Sequence, residues 1–167
     1  MILQRLKDFL DGRQIKYVVL SHSPAYTAME IAALAQIPGK EIAKTVIIKV
    51  EGTMMMAVVP ASHMVDFKAM HDITGAKHVE LASEHEFKNL FPECEVGAMP
   101  PFGNLFSMAV IVSESLAEDE MIAFNAGTHK ELVRMTYRDF AQLVQPKVGK
   151  ISFPKRYTLT REAWDMP

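Results

Sequence analysis

Residues 44–60 read KTVIIKVEGTMMMAVVP, and the reading of this stretch decides the fold. Lys44–Val50 is rich in the β-branched residues that suit a pleated strand, and Met54–Val59 is a second apolar run of similar length. Glu51-Gly52 lies between them, and glycine supplies the positive φ that a tight reversal needs. The expectation is a β-hairpin closed by Pro60, which has no N–H to give to a ladder. Met54, Met55 and Met56 are read as fillers of irregular core space, a task suited to an unbranched, flexible side chain.

Outward from the hairpin, short helices alternate with short strands. Leu3, Leu6, Phe9 and Leu10 recur at helical spacing over residues 3–11, and Gly12 ends that helix. Residues 17–20 form a strand. Thr27 opens a helix with Glu30 three residues on, the capping-box spacing, and Pro38-Gly39 stops it. Residues 65–71 are expected to be helical. Ser83 caps a helix over 84–90, with Glu86 in the reciprocal position. Strands are expected at 107–112, 121–125 and 131–135. Thr136 then caps a helix over 137–144, ended by Pro146. Residues 147–167 carry no clear periodicity. The pattern predicts an α+β fold around a mixed sheet: one domain over 1–146, followed by a basic extension over 147–167.

Composition bounds the function. A chain of 167 residues, 49% hydrophobic and 23% charged, suits one packed domain and excludes a disordered or fibrous chain. Apolar runs such as residues 54–60 are too short to span a bilayer. Arg5, Lys7 and Asp8 interrupt any signal-peptide hydrophobic region. Cys94 is the one cysteine, which rules out an internal disulfide and fits a reducing, cytoplasmic setting. A net charge of −2 argues against a protein that coats nucleic acid over its whole surface. Charge is uneven, however: from Phe140 to Arg161 there is no acidic residue, while Lys147, Lys150, Lys155, Arg156 and Arg161 add five positive charges. That segment reads either as a solvated tail or as a phosphate-contacting arm.

Several chemistries lack their motifs. The six histidines include no HExxH pair, and one cysteine cannot build a thiolate zinc cluster, so no metal is expected. There is no GxSxG elbow, no evident histidine partner for Cys94, and no glycine-rich phosphate loop. Three features remain. Lys44 stands at the mouth of an apolar strand. VGAMPPFG (96–103) alternates φ-fixing prolines with permissive glycines, and so can hold backbone N–H groups in a fixed array facing a developing oxyanion. NAGTHKE (125–131) places a glycine and His129 between two strands. Taken singly, each also reads as ordinary structure: a strand-end lysine, a turn, a bulge.

In this order, with SHSPAYTAMEIA (21–32), AKTVIIK (43–49), FPECEVGAMPPFGNL (91–105) and NAGTHKELVRM (125–135), the chain resembles the YbaK family. These are the free-standing relatives of the editing domain of bacterial prolyl-tRNA synthetase. The resemblance runs from about Leu10 to Val144. It implies a mixed, β-barrel-like sheet flanked by helices, and hydrolysis of the ester joining a wrong amino acid to a transfer RNA, often that for proline. Lys44 matches the family's functional lysine, and Gly97–Pro101 its GxxxP substrate loop, which makes Lys44, Gly97, Pro100 and Pro101 the expected catalytic set. Ala98, Met99, Phe102, Gly103 and Tyr26 are expected around the substrate. Gly127 and His129 match a GxH element that bears on the amino acid accepted, and point toward alanine, or another small residue, over cysteine; the ester expected to be cleaved carries alanine or another small residue such as cysteine or serine. No cofactor is implied. The expected partners are the 3′ acceptor end of an aminoacyl-tRNA and an aminoacyl-tRNA synthetase, with no membrane. The same lysine and loop would also suit a non-catalytic module that holds a nucleotide or a tRNA end.

Overall fold

The computed structural model describes residues 2–155. The hairpin is its centre. Strand β2 (Ala43–Val50) pairs antiparallel with β3 (Thr53–Pro60) from Ala43↔Pro60 to Val50↔Thr53. Glu51 and Gly52 both adopt positive φ, 49° and 78°, as a two-residue turn matched to strand twist requires.

Before the hairpin come α1 (Gln4–Gly12), β1 (Val18–Ser21) and α2 (Ala28–Ala35). The Thr27 hydroxyl accepts the Glu30 N–H, and Gln36 closes α2 in the left-handed region. A short 3-10 turn, Gly39–Glu41, leads into the hairpin. After it come β4 (His63–Val65), α3 (Phe67–Thr74), β5 (Val79–Leu81) and α4 (Glu84–Phe87), then β6 (Ala109–Ser113), α5 (Glu114–Ala117), β7 (Met121–Asn125), β8 (Glu131–Thr136) and α6 (Tyr137–Val144). Ser83 and Glu86 form the reciprocal capping box at α4, and Thr136 caps α6 through the Asp139 N–H.

Two expectations are corrected here. The helix expected over 65–71 is α3, which begins later because the Asp66 carboxylate caps it; residues 63–65 are a strand instead. Residues 147–155 are not featureless. They contain β9 (Lys147–Gly149), parallel to β6, and β10 (Ser152–Pro154), antiparallel to β4. Arg156 and Arg161 of the basic segment lie outside the described residues.

The described strands form a five-stranded mixed sheet, β5-β2-β3-β6-β9, a three-stranded sheet, β1-β8-β7, and the pair β10-β4. A bridge between Ile42 and Ala123 links the first two, so the α+β arrangement is one of mixed sheets flanked by helices rather than a closed barrel. The core lies between them: Met56, Val58, Val112, Ile122, Phe124 and Val133 pack with Leu6, Leu10 and Phe140 from the helices. No helix among the described residues is long and apolar enough to cross a membrane.

Candidate functional site

A cavity of about 400 Å³ opens where the start of β2 meets the N-terminus of α2, the segment from β5 to α4 and the 94–99 loop. Its wall is apolar in Ile42, Ala43, Ile47, Ala82, Phe87 and Met99, and polar in Lys44, Thr45, Asn125, Tyr26, Glu84 and Lys155.

Lys44 sits half-buried near the N-terminal end of β2, and its Nζ donates to the His63 carbonyl at 2.9 Å. Burial, together with the nearby Lys155 ammonium, pulls its pKa from 10.5 down to about 8. The same desolvation and the Lys44 charge lower the His63 pKa. His63 Nδ1 is hydrogen-bonded to Ser152 Oγ at 2.8 Å, and Ser152 Oγ to Ser113 Oγ at 2.8 Å. A chain of side chains from β10 and β6 thus steadies the carbonyl that holds Lys44.

The 94–99 loop and the 125–129 loop are fastened to each other. The Gly127 N–H donates to the Ala98 carbonyl at 2.9 Å, and the Glu95 N–H donates to the Gly127 carbonyl at 2.8 Å. His129 adds two bonds: its N–H to the Glu95 carboxylate at 3.1 Å and its Nε2 to the Val96 carbonyl at 2.7 Å. A carbonyl only accepts, so Nε2 carries the proton. The His129 ring is buried against Tyr26, centroids 4.8 Å apart, while Tyr26 itself is 74% exposed at the cavity rim.

Glycine is required at two points of this clamp. Gly97 has φ +85° and Gly127 φ +100°, where a side chain is strained, and a Cβ on Gly127 would also crowd Leu3 at 3.1 Å. Only Gly97, Ala98 and Met99 of the 97–101 stretch own an N–H, because Pro100 and Pro101 have none. The Ala98 N–H is taken by the Glu95 carbonyl at 3.0 Å. That leaves the Gly97 and Met99 amides without a backbone acceptor among the described residues, and both residues line the cavity.

Of the residues expected from sequence, Lys44, Tyr26, Gly97 and Met99 therefore meet on one cavity. Pro100 and Pro101 are buried behind its wall and stiffen the loop. Ala98 and Phe102 are fully buried, and the Phe102 ring packs with Phe9, Phe124 and Phe140. Gly103 is a packing glycine: a Cβ there would fall 2.4 Å from the Met108 carbonyl oxygen. Gly127 and His129 support the loop from behind. Cys94 packs against the core rather than lining the cavity, and burial pushes its thiol up to about 11. The polar cavity residues Thr45, Glu84, Asn125 and Lys155 lie outside the set expected around the site, although Lys155 belongs to the basic segment that reads either as a solvated tail or as a phosphate-contacting arm. Thr45 Oγ1 and Asn125 Oδ1 are buried with no hydrogen-bond partner among the described residues, and a hydroxyl inside the otherwise apolar run TVII was a signal for the first. Lys155 reaches the site from the end of β10.

The chain is similar to several known proteins. Proline–tRNA ligases of Bacillus mycoides (strain KBAB4) and Bacillus cytotoxicus are 31% and 32% identical to the chain over 88 residues. That stretch is 53% of this chain and spans only 15% of each ligase. The crystal structure of a candidate trans-editing enzyme for prolyl-tRNA synthetase superposes with a TM-score of 0.77 at 22% identity, covering 90% of this chain and 96% of that one. A hypothetical protein superposes with a TM-score of 0.80 at 22% identity, covering 89% and 99%. Residues 22–143, which contain the hairpin, both fastened loops and the lysine, match the aminoacyl-tRNA editing domain family, and the chain belongs to that family.

Proposed function

We propose that the protein is an aminoacyl-tRNA deacylase that acts in trans, cleaving the ester between tRNA for proline and a wrongly attached small amino acid such as alanine, serine or cysteine. The observation that carries this reading is that Lys44 lines one half-apolar cavity together with Gly97 and Met99, whose amides have no backbone acceptor among the described residues. The amino acid's side chain lies against Ile42, Ala43 and Ile47. Its ester carbonyl lies against the Gly97 and Met99 amides, and the exposed face of Tyr26 receives the terminal base.

Water attacks the ester carbonyl, and negative charge collects on its oxygen, where a fixed amide donor is worth about 3 kcal/mol. Collapse breaks the bond to the ribose oxygen, which leaves as a hydroxyl carrying one of the water's protons, while the amino acid departs as its carboxylate and the second proton passes to solvent. An aminoacyl ester is already activated, so orientation and oxyanion stabilisation suffice without a covalent nucleophile. Lys44 holds the acceptor end electrostatically. Larger or cyclic side chains are excluded by the walls, a second sieve where one methylene discriminates by only about 1–3 kcal/mol.

The test is release of free amino acid from alanyl-, seryl-, cysteinyl- and prolyl-tRNA for proline. The expected result is hydrolysis of at least one small-residue ester, sparing of prolyl-tRNA, and a loss of about 100-fold or more in kcat/KM for Lys44→Ala, in the range of a lost charged contact to substrate. A parent protein no faster than spontaneous hydrolysis on every ester defeats the enzyme reading in favour of a module that only holds the tRNA end.

A further inference from the structure

Two lysines, Lys44 and Lys155, line the cavity. Among the described residues neither Lys44 nor Lys155 forms an ion pair, although Glu84 lines the same cavity. Their proximity is built by adjacent residues. The Ser62 carbonyl accepts the Lys155 N–H at 2.9 Å, and the His63 carbonyl accepts Lys44 Nζ at 2.9 Å. Strand β10 sets the register: Phe153 lies opposite Met64 and Pro154 opposite His63, which delivers Lys155 to the cavity. The remaining titratable neighbour, His63, is occupied by Ser152. Like charges held together repel, and Lys44 feels that repulsion. An anion between the two ammonium groups relieves it.

We propose that Lys44 and Lys155 together seat a phosphodiester of the single-stranded acceptor end, with Lys155 acting as a positioning residue that fixes the last nucleotide while the ester reaches Gly97 and Met99. The identity of the nucleic acid rests on the function proposed above; the two-cation seat does not. Lys155 lies beyond residues 22–143, so the seat adds a contact from outside the matched family region.

The experiment measures binding of a fluorescein-labelled RNA microhelix ending in single-stranded ACCA, over a range of salt, to the parent and to Lys155→Met, Lys155→Arg and Lys155→Glu. Lys155→Met is expected to weaken binding about 10-fold and to reduce the log–log salt slope by about 0.7, the share of one single-strand phosphate contact. Lys155→Arg restores both, Lys155→Glu weakens binding further, and a blunt microhelix lacking ACCA is insensitive to all three. In deacylation, Lys155→Met raises KM and leaves kcat within about twofold, as loss of uniform binding does. Unchanged affinity and slope in Lys155→Met, or failure of Lys155→Arg to restore them, overturns the proposal. Equal losses on the blunt microhelix overturn it too. Inorganic phosphate and AMP serve as competitors: displacement by phosphate at micromolar concentration assigns the seat to a free anion and also overturns it. The two readings fail separately. A parent that cleaves no ester but binds ACCA ends through Lys155 keeps the seat and loses the enzyme. A parent that cleaves esters with no Lys155 dependence keeps the enzyme and loses the seat.

Discussion

Half-burial and the neighbouring Lys155 charge bring the Lys44 pKa to about 8, against 10.5 for an ordinary lysine. The sign of the consequence depends on what the residue does. If Lys44 holds a phosphate, it must be protonated, so affinity for the acceptor end declines as pH rises through about 8. Lys44→Arg, whose guanidinium stays charged, removes that decline. A general base would give the reverse, a kcat that climbs through the same pH. Binding of the ACCA-ended RNA and kcat, each followed from about pH 6.5 to 9.5 with spontaneous ester hydrolysis subtracted, separate the two; the expected outcome is the decline in binding. Folding is affected as well. The unfolded chain keeps this proton up to about 10.5 while the folded one releases it near 8, so the contribution of Lys44 to stability increases with pH across that window. The sequence exposed the lysine but not its surroundings. Its lowered pKa comes first from burial and then from Lys155, more than a hundred positions away, and no local pattern encodes such surroundings.

Elements with strong local grammar were legible, and elements without it were not. The hairpin, β7 and α6 have turn glycines, long apolar runs or a capping threonine, and each matches the sequence reading to within a residue or so at its ends. Strands β4, β5, β9 and β10 are three residues each, too short for a period of two to register, and exist only because a distant strand pairs with them. Glycines show the same divide. Gly52 and Gly97 share positive φ, 78° and 85°, yet one closes a solvent-facing turn and the other carries an amide on the cavity. Gly52→Ala and Gly97→Ala are each expected to lose about 1 kcal/mol in denaturant unfolding, the cost of a left-handed alanine. Gly97→Ala should also reduce kcat by about 10-fold or more through a displaced oxyanion donor, while Gly52→Ala leaves kcat unchanged. Equal kcat values in the two variants would remove Gly97 from the chemistry.

At the scale of the molecule, aromatic packing joins the parts. Phe102 ends the proline loop and meets Phe9 of α1, Phe124 of β7 and Phe140 of α6 at centroid distances of 6.1, 5.4 and 5.5 Å. Its burial is what anchors the loop that the sequence resemblance placed at the substrate. Phe102→Ala is expected to cost about 3–5 kcal/mol, read as a lower denaturant midpoint; a loss below about 1 kcal/mol would mean the loop is held by its hydrogen bonds alone. The mixed sheet has a temporal implication too. Strand β6 is flanked on one side by β3 and on the other by β9, which follows it in the chain only after β7, β8 and α6. During synthesis, the AVIVS ribbon at 109–113 therefore waits with one margin bare until Gly149 has cleared the ribosome. A nascent chain stalled in that interval offers a sticky seam to its neighbours, and its escape from clumping depends on how quickly those last residues arrive.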